Sequence, residues 1–134
     1  MSNSQSTGIA YADPEFTTCY ATQEIGYSAA AQTAVTQLTS KSTGVTVNTS
    51  AGQITMNGAS LAAATNVTFT LTNNLLSVKD VIIVNVASAN ATAGAYNAWV
   101  SSMLAGSATI TLRNITAGPL LEAVVINFAI IHAQ

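Results

Sequence analysis

An acid–base pair or a metal site in this chain would have to be built from Asp13, Glu15, Glu24, Asp80, Glu122 and His132, its five carboxylates and single histidine. General acid–base chemistry needs two such groups held together, to within about half an ångström of a working geometry. Asp13 and Glu15 flank Pro14 in a stretch with no regular apolar alternation, a poor platform for that task. Asp80 and Glu122 each stand at the head of a strongly apolar run, where a carboxylate reads as a charge marking the rim of a sheet. His132 comes close to the end of the sequence and reads as a terminal polar residue or an interface contact. Cys19 is the only cysteine, so neither an internal disulfide nor a thiolate metal site can be assembled. The sequence contains no nucleophile elbow, phosphate-binding glycine loop, metal-ligand pair or dinucleotide fingerprint. The expectation is a protein that is not an enzyme and uses no cofactor or metal.

Composition points the same way. Charged residues make up 6% of the 134 residues, against roughly a quarter in ordinary soluble proteins. Ser, Thr and Asn supply the polarity instead, and these short uncharged side chains enter close subunit contacts at low desolvation cost. Lys41, Lys79 and Arg113 are too few and too scattered to neutralise a run of phosphates, which excludes nucleic acid as a partner. A net charge of -2 gives little repulsion between copies, so an assembled protein is expected. The first residues, Met1-Ser-Asn-Ser-Gln-Ser-Thr7, lack a basic region followed by an apolar core, and synthesis in a cytoplasm is the corresponding expectation.

The elements that would position any site are strands. The longest apolar run, residues 122–131, is about half the length of a membrane helix. Its Val, Ile and Phe content favours a buried strand, apolar on both faces and needing cover on both. Residues 80–86 match it in character and are expected beside it. Residues 67–72 alternate cleanly, Val67, Phe69 and Leu71 inward and three threonines outward. Residues 35–38, 96–101 and 108–113 add further strands, and residues 45–48 with 53–57 read as a hairpin. Residues 61–64 form either one helical turn or a crossing between sheets, and residues 28–37 are rich enough in Ala for a short helix. With about eight strands and no helix long enough for a parallel crossover, the fold class is all-β, an antiparallel β-sandwich of jelly-roll or Greek-key type.

Residues 1–33 differ in texture: apolar alternation is absent, and Tyr11, Phe16, Tyr20 and Tyr27 concentrate aromatics there. Disordered tails are poor in aromatics, and bulky rings at wide spacing suit anchoring onto a neighbour. The expectation is an N-terminal arm over 1–33 and a sandwich domain over 34–134. Tyr96 and Trp99, with nearby asparagines, form an alternative patch on which a sugar ring could stack.

The segments Thr39-Ser-Lys-Ser-Thr-Gly-Val-Thr-Val-Asn48, Gly52-Gln-Ile-Thr-Met-Asn57, Val67-Thr-Phe-Thr-Leu-Thr-Asn73, Asp80-Val-Ile-Ile-Val-Asn85 and Ala123-Val-Val-Ile-Asn-Phe-Ala-Ile-Ile131 resemble a small β-module of tailed-bacteriophage virion proteins. The resemblance covers residues 34–131 and carries no functional residues with it. A stand-alone sandwich with an N-terminal arm is similar to a capsid cement, or decoration, protein. That resemblance implies a virion location, the major capsid protein as partner, a trimer, and stapling of neighbouring shell subunits, with no nucleic acid or membrane contact. The alternative it implies is a receptor-binding or tail-fibre module that recognises host glycans.

Overall fold

The computed structural model describes residues 17–87 and 91–133. In chain order a single 3₁₀ turn, Ala29–Ala31, leads into β1 (Gln32–Thr36), β2 (Val45–Thr46), β3 (Ala51–Thr55), β4 (Asn66–Thr72), β5 (Val81–Val86), β6 (Tyr96–Leu104), β7 (Ser107–Asn114) and β8 (Val125–Ile131). They form two four-stranded sheets, ordered β1-β3-β8-β5 and β2-β4-β7-β6. The protein is therefore all-β and sandwich-like, as its alternating sequence requires. In β8, Ile126, Phe128 and Ile130 point into the core. They meet Phe69, Leu71, Ile110 and Leu112 from the other sheet. Fully burying each such side chain is worth about 1.5–3 kcal/mol.

The sheets are mixed, which corrects the expectation of a purely antiparallel sandwich. β1 runs parallel to β3 and β2 parallel to β4, while the other pairs are antiparallel. A parallel pair needs a crossover, and here strands of the opposite sheet provide it. The chain goes from β1 across to β2, back to β3 and across again to β4. The expected hairpin of residues 45–48 with 53–57 is accordingly absent, since β2 and β3 lie in different sheets. The crossing is held by Asn73, whose Nδ2 donates to Thr49 O at 2.8 Å, and by Val47 N donating to Thr72 O at 2.9 Å.

Other expectations shift in detail. The alanine-rich stretch yields only the 3₁₀ turn, because β-branched Thr33, Val35 and Thr36 fit the pleated sheet better than a helix. β1 consequently begins at Gln32, and the 33/34 boundary falls inside it. Residues 61–64 are a crossing, fixed by the Leu61–Leu120 bridge. β6 continues past Ser101 to Leu104 and pairs with β7, with a bulge between Val100 and Ser102. β5 does lie beside β8, Val81 opposite Ile131 through Val86 opposite Ile126.

One face of β8 departs from expectation. Asn127 sits in the middle of its outer face, registered with Gln53 and Asn85 in an uncharged amide row across three strands. Beside that row Val81, Ile83 and Ile131 are each more than half exposed. Within the single chain the described arm residues leave this second face largely uncovered, because residues 17–30 are themselves exposed. Their contact with it is confined to a groove between Gly26–Tyr27 and Ala34, Gln53, Asn127 and Ala129.

Candidate interaction surface

The β5–β8 register extends one residue beyond the strands and brings Asp80 to His132. His132 Nδ1 lies 3.0 Å from Asp80 Oδ2. An ionised carboxylate only accepts, so the proton of this contact belongs to the imidazole. Asp80 also accepts from Ser77 N at 2.8 Å and Ala133 N at 3.1 Å. These bonds, the Ser77 N–H foremost, hold its carboxyl down to about 2. The group closes the turn before β5 and pins the residues after β8. Ser77 holds Asp80 through both its N–H and its side chain, so the group works as a clasp.

The second cluster was invisible in the sequence. Lys41 sits in the turn after β1, yet its side chain points inward and only 3% of the residue is exposed. Its ammonium donates to the carbonyls of Asn57 and Glu122, each at 2.5 Å. Burial lowers its pKa, and the charge of Glu122 opposes that shift. The Glu122 carboxylate accepts from Thr92 Oγ1 and Thr92 N, which hold its pKa below the usual range. Burial first, and the neighbouring Glu122 second, push the Tyr96 hydroxyl well above its ordinary range. Among the described residues, buried Tyr96 OH and Glu122 Oε2 lie beside each other without a well-formed hydrogen bond. The cluster ties the residues before β8 to the β1–β2 and β5–β6 connections. Among the described residues no group of three or more His, Cys, Asp or Glu side chains could hold a metal ion, and no helix is long and apolar enough to cross a membrane.

The sequence-predicted anchors separate. Tyr11 and Phe16 lie outside the described residues. Tyr20 is 91% exposed, and Ile25 beside it 83%. Tyr27 is docked: its hydroxyl donates to Ile130 O, and Gln32 Nε2 donates to Tyr27 O at 2.9 Å. Ile130 O faces the space just ahead of β3, where Ser50 O already receives Ile130 N, so the tyrosine continues the sheet where β3 has not yet begun. Tyr96 and Trp99 do not form one patch. Tyr96 packs against the core, whereas Trp99, three positions along β6, lies on the other face opposite Thr111. What the structure does bring together is apolar surface: Val78, Val81, Ile83 and Ile131 at one edge of the first sheet, and Tyr20 and Ile25 on the arm. Periodicity could have found the outer-face residues of β5, but only the sheet order shows that β5 is an edge.

Comparison with protein-family models, with curated proteins and with solved structures finds no match to this chain.

Proposed function

We propose that this is a non-enzymatic structural protein of a tailed-bacteriophage virion, a decoration or cement protein made in the host cytoplasm. In this reading it binds the outer shell as a trimer, with the major capsid protein as its partner. The observation that supports the reading is exposed apolar surface with very little charge among the described residues: Tyr20 and Ile25 on the arm, and Val81, Ile83 and Ile131 on the outer sheet face. Such surface calls for a macromolecular partner, and the clusters at Asp80 and Lys41 serve structure.

The mechanism is mass action. A protein that binds the assembled shell and not its dissociated subunits stabilises the shell by RT ln(1 + [L]/Kd), about 2.7 kcal/mol per site at a hundredfold excess over Kd. Engagement of several shell subunits around a symmetry axis raises the avidity further. The arm supplies reach, since residues 17–26 make no hydrogen bond to the body among the described residues.

The test is removal of residues 1–26, which keeps docked Tyr27 and every strand. The truncated protein is expected to stay folded and to lose binding to purified shells in a co-sedimentation assay. Undiminished decoration by the truncated protein would rule the arm out as the capsid-binding element.

A further inference from the structure

Two unpaired features of the chain fit each other. The first is the free edge of β5. Ala87 N donates to Val125 O, and the antiparallel register then turns the N–H and C=O groups of Val81, Ile83 and Asn85 toward β8. Those of Ile82, Val84 and Val86 point away from the sheet, and they have no partner among the described residues. The other edges are protected in ways that edge strands commonly are. β6 is bulged between Val100 and Ser102, β2 is two residues long, and the start of β1 is tied to the arm through Gln32 and Tyr27. β5 has no charge, proline or bulge.

The second feature is the segment 17–25. Its threonines, Cys19, Tyr20 and Ile25 suit a strand, yet it pairs with nothing in its own chain among the described residues. The arm joins the body beside β1, at the opposite end of the sheet order from β5. A contact from one end of this sheet to the other is head-to-tail and closes into a ring when the rotation allows.

We infer that residues 17–25 of one copy add to β5 of a second copy as an antiparallel strand. One register satisfies the chemistry. With Ala21 opposite Ile82, Tyr20 meets Ile83 and Thr18 meets Asn85. Ile83 is 54% and Tyr20 91% exposed in the single chain. Ala21 and Cys19 then take the outward hydrogen bonds of Ile82 and Val84, their small side chains turned toward the sandwich. A slip of one residue turns Tyr20 to the other face and breaks both matches. The inference deepens the oligomer half of the proposed function and rests on that reading. It is tested on purified protein without particles, so capsid binding and self-association fail separately.

In a Cys19→Ser background, Tyr20→Cys with Ile83→Cys places two thiols in a non-hydrogen-bonded antiparallel pair. Such Cα atoms are about 4.5 Å apart, within the range a disulfide spans. Mild oxidation of the full-length protein is expected to give covalent oligomers on a non-reducing gel, and the slipped pair Ala21→Cys with Ile83→Cys to give none. Monomer alone from the matched pair, internally bridged or unbridged, overturns the inference, as do equal oligomers from both pairs. Independently, Ile83→Asp, on the outer face of β5, is expected to weaken association about tenfold in sedimentation. Unchanged association in Ile83→Asp and in protein lacking residues 1–26 also overturns it.

Discussion

His132 Nδ1 stands 3.0 Å from the Oδ2 of buried Asp80, which joins the residue before β5 to the residue after β8. The pair follows from register, because Val81 opposite Ile131 makes 80 and 132 the next positions across the ladder. The Asp80 carboxyl is held down to about 2, by the Ser77 N–H first, against about 3.9 in an unfolded chain. A depressed acid contributes stability that is present above its unfolded pKa and is lost as pH falls through its folded pKa. The folded protein should therefore lose stability between about pH 4 and pH 2. Asp80→Asn should lower the melting temperature at pH 7 and flatten that acid limb, as read by thermal melts across pH.

Lys41 is a cation with two backbone carbonyls as its acceptors and almost no solvent. Lys41→Ala leaves both carbonyls short of a donor and opens space under the residues leading into β8. The expected loss is about 3 kcal/mol in a urea titration at neutral pH, while Lys79→Ala, on an exposed residue, should change stability by under about 0.5 kcal/mol.

Asn114 is fully buried and fully used. Its Nδ2 donates to Leu61 O, Ala62 O and Gly118 O, and its Oδ1 accepts from Thr116 N and Oγ1. Asn114→Leu keeps the volume and removes every bond, so about 3 kcal/mol should be lost. Hydrogen exchange should quicken first at Leu61 and Leu120, whose bridge the amide supports.

Gly52 sits where β1, β3 and Phe128 converge. A Cβ there would lie 2.4 Å from Thr33 O and 3.0 Å from Phe128 Cε1. Since backbone cannot yield as a flexible side chain would, Gly52→Ala should cost about 3 kcal/mol and free the β1 edge. Exchange protection lost across β1 while β4 and β7 keep theirs would show this.

Much of the fold was legible because one physical signal carries it. Burying one face of a sheet imposes a period of two, and the alternation at Val67 to Thr72 and the apolar runs of β5 and β8 display it plainly. Their adjacency was legible too, from shared character. The parallel pairs were not, because a crossover made of opposite-sheet strands leaves the same local pattern as a hairpin, and β2 at two residues is too short to show its partner. Of the site residues, Tyr20 is exposed, while the Tyr27 hydroxyl is spent on the sheet. Tyr96 and Trp99 were separated by the same alternation that built β6.

By itself the sequence determined an all-β chain with almost no charge, because composition and the period of two act regardless of how the strands are ordered. The tertiary structure alone decided which polar residues are buried hubs and which strand is left as an edge. Burial of Lys41, Asp80 and Asn114 depends on carbonyls and N–H groups from distant segments, and the groups of Ile82, Val84 and Val86 are open among the described residues only because the sheet ends at β5.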